Sequence, residues 1–341
     1  MAGSVYGAGL RYVRSTVAGE SFEPLLEAAY DLPRPVRCVL HARGDNDNYY
    51  VWADVDRGQR YVLRLYRADK HWWSLPEENV RFELEWTRYA HERGAPVAYP
   101  LRRRDGELLG WIDAPEGRRY WALFSFAEGS DGPLDEGGCV AYGAALACLH
   151  QVSDGFASRH ARPAVDADFV VDGPARRVEA FLEGARPDDV AFLYRLADRL
   201  RPWFERIPKT AATYGVIAGD THGGNKLVGP DGRLVLIDLD ICGWGWRAYD
   251  AAIFLWGAKL GNADGERWAP FVRGYESVRP FMEEEREAIP WLVMARQVWL
   301  MGAHTVYAEY SGRNWIGQGY WDRQFEFLRQ ELARLEAAPA V

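Results

Sequence analysis

The chain has 341 residues, and its 48% hydrophobic fraction with 15 Trp, 18 Tyr and 14 Phe excludes a low-complexity or disordered polymer. Its formal net charge of −8 argues against binding to nucleic acid or anionic lipid, which depends on clustered Lys and Arg. The four cysteines form no CxxC pair, and no stretch approaches the ~18 apolar residues that span a membrane. We therefore expect a globular cytoplasmic protein without a nucleic-acid or membrane partner.

The first part of the chain has the pattern of a small antiparallel sheet followed by a helix. The turn-forming run from Gly44 to Asn48 separates segments that alternate apolar and polar residues. A helix over residues 77–93 is indicated by Phe82 and Trp86 at helical spacing, with Gly94 as its stop. The predicted strands cover residues 38–41, 49–55, 60–67, 108–112 and 120–126.

The second part is mainly helical, with one island of short strands. Helical periodicity covers residues 138–151, 178–182, 188–204 and most of 247–336. The strands of the island cover residues 213–217, 226–228 and 234–237. This order predicts an α+β fold with a small antiparallel-sheet N-lobe and a larger helical C-lobe. The predicted divisions are an extension at 1–36, an N-lobe at 37–128 and a C-lobe at 129–341.

Polar residues suited to catalysis or metal binding are concentrated in that island. A turn with three glycines separates two apolar strands and carries Asp220 and Asn225 at one end of the hairpin. The apolar run 234–237 then leads directly into Asp238, where an ionised carboxylate is costly unless a cation or several donors lie nearby. Asp240 comes two residues later and is expected on the same strand face.

This order of residues fits phosphoryl transfer. The reaction requires Mg²⁺ on the nucleotide phosphates, held by Asp and Asn, and a separate Asp that orients the acceptor hydroxyl. Asp220 fits the catalytic base, Asn225 and Asp238 fit the metal ligands, and Asp240 is a further candidate ligand. Any one of them alone would more often be a turn or cap residue. Their succession along two strands favours the catalytic interpretation.

The segment around Asp220 resembles the catalytic and metal-binding motifs of the aminoglycoside phosphotransferase and choline kinase superfamily. The run from Ile237 to Asp250 is most similar to the branch of type II homoserine kinases and the bacterial stress-response kinase. The resemblance implies a two-lobed, protein-kinase-like fold that uses ATP and Mg²⁺. It also implies an N-lobe that binds the nucleotide and a C-lobe that carries the catalytic residues and binds the acceptor.

The same resemblance implies a nucleotide site in the N-lobe. Gly44 and Asn48 match the loop over the phosphates, and Arg64 matches the basic residue that grips them, with Glu83 as its ion-pair partner. The backbone of the strand that contains Phe124 and Phe126 would meet the adenine. The alternatives are a plain β-turn for residues 44–48, a surface strand cation for Arg64, a solvated helix face for Glu83 and a buried strand for Phe124 and Phe126. The residues concerned are Gly44, Asn48, Arg64, Glu83, Phe124 and Phe126.

Supporting residues and one departure also follow from the resemblance. Asp250 matches a structural Asp that hydrogen-bonds the backbone of the catalytic loop, and His150 matches a core or capping histidine. The residue two before the catalytic Asp is usually His in this family, but here it is Ala218. The absence of this histidine removes a side chain that normally braces the metal-binding segment.

The acceptor is left open by the sequence. Candidate acceptor residues are His222, Trp244, Trp246 and Tyr249, although core packing explains aromatic residues as well. The leading interpretation is phosphorylation of a small-molecule hydroxyl on an amino alcohol, a homoserine-like or an aminoglycoside-like compound. Alternatives are a stress-response-type protein Ser/Thr kinase and a nucleotide-binding pseudokinase. The oligomeric state is also left open.

Overall fold

The structure is a computed structural model that describes residues 11–54, 58–70, 73–74 and 77–337. Its contacts divide the chain into two units, one of residues 1–80 and 100–126 and one of residues 81–99 and 127–341. The first carries a five-stranded antiparallel sheet, and the second is mainly helical, so the α+β class is confirmed. Residues 1–10 and 338–341 of the predicted extension and C-lobe, and Val55 of the predicted second strand, lie outside the described residues.

The sheet of the first unit has five strands in the spatial order Val36–Arg43, Asp47–Ala53, Gln59–Leu65, Gly117–Ser125 and Gly110–Ala114, with every neighbour antiparallel. One face packs on the first helix through an apolar cluster that includes Leu26, Tyr49 and Leu63. The elements of this unit are α1 (Glu23–Ala29), β1 (Val36–Arg43), β2 (Asp47–Ala53), β3 (Gln59–Leu65), β4 (Asp69–Lys70), β5 (Trp73–Ser74), the start of α2 (Glu77–Glu92), β6 (Gly110–Ala114) and β7 (Gly117–Ser125).

The described part of the predicted N-terminal extension, from residue 11 onwards, belongs to the same unit as the sheet. The apolar cluster includes α1, and a buried ionic network fixes residues 14 and 15 to the sheet. Asp47 is fully buried and accepts hydrogen bonds from Arg14 at 2.5 Å and Arg119 at 2.7 Å. The Ser15 N–H donates to Glu116 at 3.0 Å. A buried carboxylate needs such partners, which explains why this segment packs here.

Residues 81–99 also differ from the predicted division, because they pack with the second unit. The Phe82 and Tyr89 rings of α2 contact Phe156 at centroid distances of 5.4 and 5.2 Å. The Trp86 indole N–H donates to the Ser153 hydroxyl at 2.8 Å. The apolar stripe that predicted the helix therefore packs on the segment that follows the helix Glu136–Val152.

The second unit contains a helical body, a hairpin and a small three-stranded sheet. Lys226–Val228 pairs antiparallel with Leu234–Leu236, while Gly243–Trp246 lies between Ala164–Val165 and Tyr214–Ile217. Its elements after α2 are α3 (Glu136–Val152), β8 (Ala164–Val165), α4 (Gly173–Leu182), α5 (Pro187–Arg206), β9 (Tyr214–Ile217), β10 (Lys226–Val228), β11 (Leu234–Leu236), β12 (Gly243–Trp246), α6 (Arg247–Leu260), α7 (Asp264–Glu276), α8 (Glu283–Ser311) and α9 (Gln318–Ala337). The β8 and β12 strands were not predicted, and the helical periodicity over most of residues 247–336 corresponds to α6, α7, α8 and α9.

Candidate active site

The loop between β9 and β10 carries Asp220 and is shaped by a glycine. Gly219 has φ +76°, and a Cβ there would lie 2.7 Å from the Ile241 carbonyl oxygen. A glycine therefore permits both the left-handed backbone and the close approach to Ile241. The loop then turns so that the Asn225 N–H donates to the His222 carbonyl at 2.9 Å.

A buried carboxylate from α6 holds this loop by its backbone. Asp250 accepts from the Ala218 N–H at 2.8 Å and the Gly219 N–H at 2.7 Å, one on each oxygen. Its own carbonyl accepts from the Thr221 hydroxyl at 2.6 Å. The bonding predicted for Asp250 is confirmed. These bonds also hold the backbone of Ala218, where the family usually has a histidine.

His150 supports Asp250 from α3. Its Nε2 lies 2.9 Å from Asp250 Oδ2, the oxygen that also accepts from the Ala218 N–H, and its Nδ1 lies 2.9 Å from the Tyr275 hydroxyl. Burial lowers the pKa of His150, although Asp250 opposes the shift. The neutral ring then donates through Nε2 and accepts through Nδ1 from Tyr275. His150 is a buried supporting residue, as predicted.

The Asp220 carboxylate contacts side chains on both of its oxygens. The Asn225 amide nitrogen donates to the Asp220 carbonyl at 2.8 Å and to Asp220 Oδ2 at 3.3 Å. An Arg296 N–H from α8 donates to Asp220 Oδ1 at 2.5 Å. The structure thus brings Asp220 and Asn225 together, as their spacing indicated. It adds Arg296, which the motifs did not reveal.

His222 lies beside Asp220 with a defined ring orientation. Its Nδ1 accepts the Gly224 N–H at 3.0 Å, and its Nε2 lies 3.8 Å from Asp220 Oδ2. Burial lowers the pKa of His222, against the effect of the Asp220 charge. In the neutral ring the proton therefore sits on Nε2, because Nδ1 is an acceptor. That N–H is available to the region around Asp220.

The β10–β11 hairpin brings Asp238 next to Asn225 along the backbone. Lys226 pairs with Leu236, and the Ile237 N–H donates to the Asn225 carbonyl at 3.1 Å. Asp238 follows directly with φ +58°, an uncommon backbone conformation for a residue other than glycine. Strain of this kind tends to occur at functional sites.

Asp238 and Asp240 do not share a strand face as predicted, because neither residue lies in a strand. β11 ends at Leu236, and the left-handed backbone at Asp238 ends the alternation of side chains. Asp240 is buried, and its carbonyl accepts from the Arg162 side chain. Its role as a metal ligand remains a prediction.

The aromatic candidates fall into two groups. Tyr249 is buried near Arg296 and Asp220, and burial holds its pKa well above the ordinary value. Trp246 instead lies in the core, where its indole N–H donates to the Ile207 carbonyl at 3.0 Å. Trp244 has its ring 6.2 Å from Phe82. The contacts of both tryptophans are explained by packing of the small sheet.

Two aromatic rings, those of Trp256 and Trp299, pack against Arg296 beside Asp220. The guanidinium carbon lies 4.3 Å from the Trp299 ring centroid and 5.0 Å from that of Trp256. Arg296 is only 2% exposed. A single charged residue inside an otherwise apolar helical run was the available sequence signal, since buried charges require partners.

The first unit carries three of the predicted nucleotide residues on its other sheet face. In the strand register Arg64 lies opposite both Asn48 and Ala122, and its guanidinium is 5.1 Å from the Phe124 ring. Because paired residues share a face, Asn48, Arg64 and Phe124 lie on the face opposite the apolar cluster with Leu63.

Three other predicted nucleotide residues are placed as follows. Phe126 contacts the Tyr50 ring at 5.7 Å, and Gly44 accepts an Arg14 N–H at 2.7 Å through its carbonyl. Glu83 is buried on α2 in the second unit, and Arg64 is in the first. Their ion pair stays a prediction.

Among the described residues, no three His, Cys, Asp or Glu side chains form a group that could hold a metal ion by itself. The predicted set differs in kind, since it combines the amide of Asn225 with the carboxylate of Asp238. Within the same described ranges, no helix is long and apolar enough to cross a lipid bilayer.

Comparison with known proteins identifies the family. Residues 38–286 match the phosphotransferase enzyme family, so the chain belongs to that family. It is 30% identical over 329 residues to an uncharacterised protein of Synechocystis sp., covering 96% of this chain and 89% of the relative. It is 30% identical over 272 residues to a homoserine kinase of Sinorhizobium fredii, covering 78% and 77% of the two chains.

Solved structures show the same kinase-like fold. The chain superposes on an amicoumacin kinase complex with a TM-score of 0.75 and 18% identity, covering 92% of this chain and 93% of that one. A microcompartment-associated aminopropanol kinase gives a TM-score of 0.71 and 22% identity, with 92% and 94% covered. The superfamily indicated by the motifs around Asp220 is confirmed, and the protein is a phosphotransferase.

Proposed function

We propose that the protein transfers the γ-phosphoryl group of ATP, with Mg²⁺, to a hydroxyl of a small molecule. The observation that carries this proposal is the cluster at the end of the β10–β11 hairpin. There Asn225 contacts Asp220 through its side chain and is bonded by its carbonyl to the residue before Asp238. The proposed base Asp220 and the Asn225 amide thus lie on the loop whose backbone Asp250 binds, and Asp238 comes one residue after the backbone contact with Asn225.

The chain's own residues would perform the transfer as follows. Asp220 orients the acceptor hydroxyl and accepts its proton as the hydroxyl oxygen forms a bond to the γ-phosphorus. The bond from that phosphorus to the bridging oxygen of the β-phosphate breaks, and ADP leaves. Arg64 in the first unit would bind the phosphates, and the strand around Phe124 would meet the adenine.

The proposed metal ligands fit Mg²⁺ chemically. Mg²⁺ prefers oxygen donors and commonly takes only one or two protein ligands beside substrate phosphates. The Asn225 amide nitrogen is used by Asp220, which leaves its Oδ1 as the amide's acceptor atom. Asp238 would supply a carboxylate, with Asp240 as a further candidate. Bound Mg²⁺ would neutralise the charge of the nucleotide phosphates.

A small-molecule acceptor is supported by the surroundings of Asp220. Helix α8 contacts Asp220 directly through Arg296, so this helix lies beside the proposed base. The relatives named above include a homoserine kinase, and the structural neighbours include an aminopropanol kinase. We therefore propose an amino-bearing alcohol as the acceptor class, which also covers homoserine-like and aminoglycoside-like compounds.

The test is a panel assay of the full chain. ATP and Mg²⁺ are incubated with homoserine, amino alcohols, aminoglycosides and generic protein substrates, and ADP release is measured. We expect turnover with a small amino-bearing alcohol. Turnover with protein substrates alone would favour a protein kinase. Nucleotide binding without turnover on any acceptor would favour a pseudokinase.

A further inference from the structure

Arg296 is the most deeply buried charge in contact with the proposed base. It lies in the middle of α8, ten residues beyond the end of the segment that matches the phosphotransferase family. Its guanidinium packs over the rings of Trp256 and Trp299 and donates to Asp220 Oδ1. Removing a charge from water is costly unless it is paired, so this contact fixes both partners.

The two carboxylate oxygens of Asp220 consequently have different surroundings. Oδ1 accepts a charge-assisted hydrogen bond from Arg296 at 2.5 Å. Among the residues that the structure describes, Oδ2 has weaker neighbours, the Asn225 amide nitrogen at 3.3 Å and His222 Nε2 at 3.8 Å. Charge-assisted bonds are the stronger ones, so Oδ1 is committed to Arg296. Oδ2 can therefore accept a hydrogen bond from a bound hydroxyl.

We propose that Arg296 is a positioning residue that fixes the rotation of the Asp220 carboxylate, so that Oδ2 faces the acceptor hydroxyl. The inference rests on the proposed function. In the transfer, the acceptor O–H bond breaks and its proton goes to Asp220 Oδ2. The acceptor oxygen bonds to the γ-phosphorus, and ADP takes the electron pair of the broken phosphorus–oxygen bond. Arg296 gives up no proton in this step.

An arginine suits this position better than a lysine. A planar guanidinium stacks on the flat faces of Trp256 and Trp299 and still directs an N–H along a fixed line to Asp220. A lysine ammonium would keep the charge but not the direction of the bond. The Arg296→Lys variant should therefore lie between the wild type and a variant without charge.

The test uses the full chain and a reaction that needs no identified acceptor. ATP hydrolysis, in which water takes the acceptor's place, is measured with MgATP for Arg296→Gln and Arg296→Lys. Arg286→Gln is the matched control, because Arg286 lies on the same helix and pairs with Glu276 instead. MgATP affinity is measured by titration calorimetry, and folding by thermal unfolding.

We expect Arg296→Gln to bind MgATP as the wild type does and to hydrolyse it about 10- to 100-fold more slowly. Arg296→Lys should recover part of the rate, and Arg286→Gln should match the wild type. A wild-type rate in Arg296→Gln, or a loss of rate that only follows lost MgATP affinity, overturns the inference. If the glutamine variant does not fold, the lysine variant decides. A rate reduced at least threefold at unchanged affinity supports positioning, and an unchanged rate overturns it.

Asp220→Asn separates this inference from the proposed function. Loss of hydrolysis in Asp220→Asn with retention in Arg296→Gln removes only the role of Arg296. Retention in Asp220→Asn removes the proposed function itself. If hydrolysis is reduced in both single variants, the Asp220→Asn/Arg296→Gln double variant should be no slower than Asp220→Asn alone, because Arg296 acts through Asp220. A further loss in the double variant contradicts the positioning role.

Discussion

Replacing Asp250 by asparagine should destabilise the protein and slow it, because the two carboxylate oxygens hold two adjacent N–H groups. Asparagine keeps one oxygen and places an NH₂ group against the Ala218 or Gly219 N–H. One charge-assisted hydrogen bond, about 1.5–3 kcal/mol, is lost, and a buried donor is left unpaired. We expect the free energy of unfolding to fall by about 3 kcal/mol. Turnover should fall about 100-fold, since Gly219 directly precedes Asp220.

The measurement is urea unfolding at pH 7 with linear extrapolation, combined with a turnover assay. Asp168→Asn is the control, because its exposed pair with Arg176 at 2.8 Å should contribute at most about 1 kcal/mol. If Asp250→Asn were as stable and as active as Asp168→Asn, the bracing of the catalytic loop by Asp250 would be refuted.

Three further outcomes are expected. Burial raises the pKa of Glu285 to about 7 from 4.5, against the opposing effects of the Met282 N–H and Arg279. At a pH between its unfolded and folded pKa values, such a carboxyl group is protonated more often in the folded state than in the unfolded state. Stability should therefore fall, on the order of 2 kcal/mol, as pH rises from about 4.5 to 7. Glu285→Gln should remove this fall, as urea unfolding of both proteins across that range would show. Gly219→Ala should lower the melting temperature and abolish turnover, because its Cβ would meet the Ile241 carbonyl and its φ is positive. EDTA should stop ATP turnover, and added Mg²⁺ should restore it.

Each of these expectations can fail clearly. Parallel stability curves for the wild type and Glu285→Gln would contradict the buried, raised pKa. Wild-type turnover and melting of Gly219→Ala would mean that the loop can move away from Ile241. Turnover unaffected by EDTA would remove the metal from the proposed function.

The parts of the site that the sequence predicted are local in the chain. Asp220 and Asn225 lie five residues apart on one loop, so their contact is local, although β9 pairs with β12 and β10 with β11 and the predicted hairpin between β9 and β10 does not form. Asp250 was placed through the family resemblance, and its bonds to the Ala218 and Gly219 backbone agree. The antiparallel strands and α2 were also predicted within a few residues of their observed ends, since alternation and helical spacing are local signals.

The parts that were missed depend on contacts between distant segments. Arg296 meets Asp220 across 76 positions, and no spacing rule reports such a contact. The Gly243–Trp246 strand forms only because Tyr214–Ile217 and Ala164–Val165 lie on its two sides. The left-handed backbone at Asp238 ended the alternation that had placed Asp240. Tertiary packing decided each of these features.

The central claim is that Asp220 serves the transfer while Asp238 serves the metal and nucleotide. It is tested most directly by measuring MgATP affinity and phosphoryl transfer together in Asp220→Asn and Asp238→Ala. We expect Asp220→Asn to keep wild-type MgATP affinity and lose transfer, and Asp238→Ala to lose the dependence of nucleotide binding on Mg²⁺. Wild-type transfer in both variants would contradict the account.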